Sequence, residues 1–204
     1  MSLLQIIAWC DLLALGVFAV SGALAAAERR LDVLAFILFG TITGVGGGTL
    51  RGLLLDAPVF WISQTRYLWL CIVVSATTWY LVPALRVRQR LLVWADALGL
   101  SLFSVLGAAK ALQLQAPEVV AVVMGVMTAS FGGLIRDTLL GRDSVLLGPE
   151  VYVSAALVGS ASYVALLQLP QLAPGAALLL AMLAAFGLRA GGILRGWNLP
   201  RYRR

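Results

Sequence analysis

Seven long apolar stretches, separated by short polar turns, make up almost the whole chain. A helix needs about 20 apolar residues to cross the roughly 30 Å hydrocarbon core of a bilayer, and each stretch is close to that length. We therefore predict an all-α integral membrane protein with seven transmembrane helices, numbered here as predicted helices 1 to 7. Their positions are near residues 4–27, 32–55, 67–85, 91–113, 117–140, 150–168 and 174–194.

The composition supports this assignment and narrows the function. Of the 204 residues, 61% are hydrophobic and 12% are charged, and the mean hydropathy is +0.97. Such a chain has too little polar surface to remain in solution, so we predict one transmembrane domain over residues 1–204 in contact with the lipid bilayer. The chain has no histidine and no nucleophile elbow or phosphate-binding loop on a suitable element. We therefore expect no enzyme activity, no resident metal and no cofactor.

The net charge of +6 is distributed asymmetrically along the chain. Arginines lie in the turns after predicted helices 1, 3 and 5 and at the C-terminus, which are all on one side of the membrane. The turns on the opposite side of the membrane contain little basic charge besides Arg66. By the positive-inside rule, this predicts an external N-terminus and a cytoplasmic C-terminus, with a short basic tail over residues 195–204, in a bacterial-type inner membrane. The charge is thus a topology signal, and we predict neither a nucleic-acid partner nor a protein partner. The arginines on the basic side are Arg29, Arg30, Arg86, Arg88, Arg90, Arg142, Arg195, Arg201, Arg203 and Arg204.

The sequence contains an internal repeat, in which the segment from Asp11 aligns with the segment from Asp96. We call the constant shift between the two copies the repeat offset. At this offset "DLLALGVFAVSGA" from Asp11 aligns with "DALGLSLFSVLGA" from Asp96, and "GTITGVGGGTLRGLLL" from Gly40 aligns with "GVMTASFGGLIRDTLL" from Gly125. The repeat units, residues 5–85 and 91–168, contain three helices each, so the second must cross the membrane in the opposite direction. Inverted repeats place a permeation or substrate site where the two copies meet. Predicted helix 7, residues 174–194, lies outside the repeat.

Glycines interrupt the second and fifth predicted helices at matching positions. A glycine costs about 1 kcal/mol relative to alanine in a helix interior, so the run from 46 to 48 predicts a kink or an unwound turn. Carbonyls freed there could form part of an ion path. The alternative is tight helix packing, because glycine recurs every fourth residue at 40, 44 and 48.

Charged side chains lie close to these glycines. Arg51 and Arg136 follow them at repeat-equivalent positions, with Asp137 as a candidate partner. An arginine within a membrane span normally faces a cavity or a partner, although one near a helix end can also extend to the headgroups. Lys110 aligns with Ala25 and breaks the symmetry. Its side chain either extends outward or lines an outer vestibule and responds to voltage.

Two aspartates occupy matching positions near the starts of predicted helices 1 and 4. The helix macrodipole favours an acid there, and it accounts for Asp96 without any further role. Asp11 would lie toward the outside, where a carboxylate could attract cations.

The motifs "GVGGGTLRGLLL", "FGGLIRDTLL" and "LGAAKAL" resemble the bacterial branch of the trimeric intracellular cation (TRIC) channels. The resemblance implies a homotrimer with one potassium-conducting pore in each protomer, lined by kinked helices 2 and 5. Carried onto this chain, it implies two groups of site residues. The pore and kink residues are Gly46, Gly47, Gly48, Thr49, Gly132 and Gly133, and the pore-flanking charges are Arg51, Arg136, Asp137 and Lys110.

Three functions remain open at this point. A monovalent-cation channel fits the repeat and the glycine motifs. A secondary transporter of a small zwitterion such as glycine fits them too, but it usually needs a buried acid or ion site, and the acids here cluster toward helix ends. A passive membrane scaffold explains the glycines but leaves the paired arginines without a role.

Overall fold

A computed structural model of the protein describes residues 3–84 and 88–200. These residues form a bundle of α-helices, and the one β-bridge among them pairs Glu150 with Asn198. Arg86, Arg201, Arg203 and Arg204, together with the side chain of Arg88, lie outside the described part of the chain. The helices are α1 (Leu3–Glu28), α2 (Val33–Leu54), α3 (Phe60–Ser63), α4 (Arg66–Leu81), α5 (Arg88–Gln113), α6 (Glu118–Leu139), α7 (Val153–Leu166) and α8 (Pro174–Arg195).

The all-helical prediction is confirmed, and each predicted apolar stretch coincides with one helix. In the part of the chain that the structure describes, six helices have the length and hydropathy to cross a membrane, whereas α7 is apolar but has only 14 residues. α7 begins at Val153, three residues after the approximate start of the predicted stretch at 150, because the chain enters this helix in a non-helical conformation. There the N–H of Leu199 donates to the carbonyl of Pro149 at 2.7 Å, which ties this segment to the chain beyond α8.

Local signals explain where several helices begin and end. The carboxylate of Asp32 accepts a hydrogen bond from the N–H of Ala35 at 2.8 Å and caps α2. Gly196 ends α8 in the left-handed region, with φ at 65°. The short helix α3 was not predicted, since its four residues are too few to show a helical period.

The helices pack in an order that brings the two predicted repeat units together. α1 packs against α2, α4 and α5, α2 packs against α6, and α8 packs against α5 and α7. Phe18 and Phe103 are equivalent at the repeat offset, and the centroids of their rings lie 5.2 Å apart. Much of the remaining core is alanine and glycine, which allows close approach of the helix backbones.

The turns after α1 and α6 lie at the same end of the bundle. Arg29 Nη2 donates to the carbonyl of Gly141 at 2.9 Å, and Arg142 Nη1 pairs with Glu28 at 2.5 Å. We refer to this end, which also contains the start of α5 and the segment before α7, as the Arg136 end. The other, containing residues 55–65 and the end of α5, is the Arg51 end.

Candidate functional site

The backbones of α2 and α6 touch where each helix has a glycine. A Cβ built on Gly47 would lie 2.0 Å from the carbonyl oxygen of Thr128, and one on Gly132 would lie 2.2 Å from that of Thr43. The contacts are reciprocal, because Thr43 and Thr128, like the two glycines, are equivalent at the repeat offset. No side chain larger than hydrogen fits on either side of this crossing.

The unwound turn expected at the glycines is absent from the structure. α2 and α6 remain α-helical throughout, so their carbonyls stay within the helix hydrogen bonding. The hydroxyl of Thr43 donates to the carbonyl of Phe39, and that of Thr128 donates to Met124, each at 2.6 Å. Close packing of two backbones stabilises the helical conformation that glycine alone would disfavour. A kink without unwinding stays a prediction.

The other predicted pore residues surround this crossing. A Cβ on Gly46 would lie 3.3 Å from the side chain of Ile135, and one on Gly48 would meet the Phe60 ring at 2.7 Å. A Cβ on Gly133 would lie 3.3 Å from the Tyr152 hydroxyl. The structure therefore places the glycines of both helices against neighbouring elements and not against an open channel.

Thr49, the one polar member of the predicted pore set, connects α2 to α3. The Thr49 hydroxyl donates to the carbonyl of Val45 at 2.7 Å and accepts from Nε1 of Trp61 at 2.8 Å. These bonds fix the unpredicted short helix α3 against α2 at the Arg51 end.

Arg136 is the centre of a buried charge network. Its side chain is 2% exposed, and it forms ion pairs with Asp137 (Nε to Oδ1, 2.8 Å) and Asp96 (Nη1 to Oδ1, 2.9 Å). Nη2 donates to the second oxygen of Asp137 at 3.1 Å, and Nη1 also donates to Ser21 at 2.6 Å. The Arg136 guanidinium thus joins α1, α5 and α6, and the carboxylates of Asp96 and Asp137 compensate its charge. Removing Arg136 from this network would leave two buried carboxylates without their cation, which is energetically costly.

The network extends toward the turn after α6. Arg142 Nε lies 4.0 Å from Asp137, and the same arginine also pairs with Glu28 of α1. Asp96 is therefore more than an acid favoured by a helix dipole, since it lies over two turns from the start of α5 and holds Arg136. The expectation that the dipole accounts for Asp96 is wrong.

Arg189 of α8 is a buried residue that the sequence analysis did not select. It is 2% exposed, its Nη1 pairs with Glu150 at 2.9 Å, and its guanidinium lies 5.2 Å from the ring centroid of Tyr152. Through Tyr152, which reaches Gly133, α8 contacts the Arg136 end of the site. An arginine in the middle of an apolar stretch is a functional signal in itself, and that signal was available in "GLRAGG".

Lys110 and Arg51 lie together at the Arg51 end. The Lys110 ammonium forms an ion pair with Asp11 and lies 5.7 Å from the ring centroid of Phe60. Lys110 and Arg51 line a cavity of about 300 Å³, which we call the Arg51 cavity. The Lys110 side chain turns inward to Asp11 instead of extending outward, and a role in an outer vestibule stays a prediction.

The site as described has cations at both ends and a glycine crossing between them. Within residues 3–84 and 88–200, no group of three or more acidic or cysteine side chains converges as metal ligands would. What the arrangement offers chemically is charge and close backbone packing.

Comparison with known proteins gives the same family by sequence and by structure. A family model described as "Glycine transporter" matches the chain twice, over residues 8–83 and 93–168. A UPF0126 membrane protein of Vibrio cholerae is 36% identical, covering 94% of this chain and 81% of its own. The UPF0126 inner membrane protein YadS of Escherichia coli is 38% identical, covering 76% of each.

Solved structures have the same fold. The TRIC trimeric intracellular cation channel orthologue from Rhodobacter sphaeroides is 43% identical, with a TM-score of 0.91 covering 95% of this chain and 100% of that one. A prokaryotic TRIC channel crystallised in 0.5 M KCl is 26% identical, with a TM-score of 0.89 covering 97% of this chain and 100% of that one.

Fold and site together define a multi-pass α-helical membrane protein with the TRIC channel fold. The chain belongs to the TRIC-related UPF0126 family of membrane proteins, which the matching family model describes as "Glycine transporter".

Proposed function

We propose that the protein is a monovalent-cation channel that conducts potassium through each protomer along the α2–α6 contact. The observation that carries this proposal is the reciprocal crossing, where the carbonyls of Thr43 and Thr128 face a glycine across the contact. These carbonyls are hydrogen-bonded within their helices, but each has a second lone pair, which could replace part of the hydration shell of a cation once the helices separate. Solved relatives with this fold are described as TRIC cation channels, which supports the same function here.

In the conformation described here the path is shut at the crossing. No space remains between the backbones of α2 and α6, so conduction requires the two helices to move apart there. Pore-lining roles for the predicted glycines, and flanking roles for Arg51, Arg136, Asp137 and Lys110, belong to this proposal. The buried Arg136 network would hold one end of the path in a fixed arrangement.

The topology and assembly belong to the same proposal. Seven spans, with α7 as a short one, would form two inverted three-helix repeats followed by α8. The family model matches twice, from residue 8 and again from residue 93, and this double match supports the repeat. We further propose an external N-terminus and a cytoplasmic C-terminus in a bacterial inner membrane, and a homotrimer like the TRIC channels that the chain resembles.

The test is reconstitution of the purified protein in planar bilayers under a potassium chloride gradient. Unitary currents that reverse near the potassium equilibrium potential support the channel. The absence of current, together with liposomes that accumulate labelled glycine against a gradient, would contradict the channel proposal. It would support the zwitterion transporter considered from the sequence.

Paired variants test the path itself. Gly47→Leu with Gly132→Leu distinguishes permeation from packing at the crossing. Loss of the current with the assembly intact, measured by light scattering, supports the path, whereas loss of the assembly shows that the glycines serve helix packing and removes the main support for the path. Gly16→Leu is the matched control, because no atom lies within 4 Å of a Cβ at Gly16. Unchanged current in the paired variant would exclude a path along the α2–α6 crossing.

A further inference from the structure

Within the described residues, no carboxylate pairs with Arg51 as Asp137 and Asp96 pair with Arg136. At the repeat offset Asp137 corresponds to Gly52, so Arg51 has no carboxylate beside it in the chain. Asp96 corresponds to Asp11, but Asp11 pairs with Lys110. The partners that Arg136 has are therefore either missing or already occupied at Arg51.

Arg51 is nevertheless buried. It is 6% exposed, and its Nη1 atom is buried without a hydrogen-bond partner. Among the residues that the structure describes, Arg51 forms no ion pair within 4.0 Å, whereas Arg136, Arg142 and Arg189 all do. A buried guanidinium without a partner is energetically costly, and buried charges in proteins are normally paired.

The Arg51 side chain borders an open space. The Arg51 cavity, of about 300 Å³, is bordered by Arg51, Gly52 and Lys110, and by the polar side chains of Gln64, Tyr67 and Gln113. Its lining residues include two cations and no acid. The cavity is thus positive and large enough for a molecule of a few non-hydrogen atoms, and its remaining polar groups can donate hydrogen bonds.

We propose that Arg51 and Lys110 form a binding site for a small carboxylate in the Arg51 cavity. The Arg136 end identifies this chemistry, because there both oxygens of Asp137 accept from Nε and Nη2 of Arg136, at 2.8 and 3.1 Å. A carboxylate in the Arg51 cavity would supply the same fork-to-fork contact that Gly52 cannot supply.

A bound carboxylate has a consequence for conduction, and this part rests on the proposed channel function. Arg51 and Lys110 together carry one positive charge more than Asp11 compensates. Binding of a monovalent anion neutralises that excess and raises the local cation concentration at this end. Carboxylate binding should therefore increase potassium current at low ionic strength.

The binding test uses the full-length protein in nanodiscs, with acetate as the probe, at constant chloride concentration. Saturation-transfer NMR on the acetate methyl group gives the affinity without any current measurement, so a silent channel does not affect the result. We expect saturable binding that Arg51→Gln weakens by at least about tenfold, because a charge-assisted, two-point contact is lost.

Gly52→Asp provides an independent variant that adds a group instead of removing one. A Cβ at Gly52 would meet its nearest neighbour, the carbonyl of Ala57, at an ordinary 3.4 Å, so the side chain can be accommodated. The new carboxylate should occupy Arg51 as Asp137 occupies Arg136, and should abolish acetate binding. Gly52→Asn, equal in size but neutral, is the matched control and should retain binding within about threefold.

The proposal is overturned if acetate fails to bind the wild-type protein, or if it binds Gly52→Asp as well as Gly52→Asn. Loss of binding in both Gly52 variants would also overturn it, since it would trace the effect to size and not to charge. If acetate binds as described but adds no current, the site stands and its link to the channel fails.

Discussion

Replacement of Gly47 by alanine is the smallest change that tests the α2–α6 crossing. The added methyl group would lie 2.0 Å from the carbonyl oxygen of Thr128, and the carbonyl carbon and Cα of the same residue would follow at 2.8 and 3.0 Å. All three atoms belong to the backbone of α6. No rotation of a side chain can therefore make room, and the two helices must separate.

The size of the effect follows from that geometry. Ordinary contact begins at 3.4 Å, so the methyl group is too close by about 1.4 Å. Overpacking of this kind costs about 1–3 kcal/mol, and an obstruction by backbone belongs at the upper end. The better helix propensity of alanine offsets about 1 kcal/mol. We expect a net destabilisation of about 2 kcal/mol.

Gly16→Ala is the matched control, because it also adds a methyl group within a helix but meets nothing within 4 Å. It should stabilise the protein by up to about 1 kcal/mol. The two variants would then differ by about 3 kcal/mol, or roughly 6–12 °C in Tm for a chain of this size. Thermal unfolding followed by circular dichroism in one detergent measures this difference. Equal Tm values for the two variants would refute the close backbone contact.

Three other substitutions give defined outcomes. Asp96→Asn removes one of the two carboxylates on Arg136 while Asp137 stays paired, and should destabilise the protein by about 1.5–3 kcal/mol, so an unchanged Tm would contradict the buried network. Gly196→Ala places a side chain at φ 65° and should cost about 1 kcal/mol, with Gly196→Asn costing less in the same Tm assay. Lys110→Gln leaves Asp11 unpaired and should raise potassium conductance about twofold in dilute salt, an effect that molar salt removes by screening. A variant-to-wild-type conductance ratio that is the same in dilute and in molar salt would count against Lys110 acting on the permeation path.

The helical architecture could be predicted because its signals are local and repeated. Each apolar stretch is long enough to be recognised alone, and the repeat offset aligns Gly47 with Gly132 and Thr43 with Thr128. That alignment placed the important glycines, but their environment depends on which helix faces them. Only the three-dimensional packing shows that each glycine meets a threonine carbonyl of the other helix, which removes the need for unwinding.

The charge partners were harder to predict than the charged residues themselves. Asp137 is adjacent to Arg136 in the chain, so that pair was accessible from the sequence. Asp96 and Ser21 come from two other helices and are far from Arg136 in the chain. Since helix rotation decides which side chains meet, periodicity alone could not assign these contacts.

The reciprocal glycine crossing restricts how this protein can change over generations. A clash between two side chains can be relieved by a smaller residue at the second position, and suppressor mutations commonly work in this way. At Gly47 the obstacle is a peptide carbonyl, which all amino acids possess, so no exchange at Thr128 can remove it. A genetic screen for suppressors of Gly47→Ala should therefore recover reversion to glycine, or changes elsewhere that let α2 and α6 move apart.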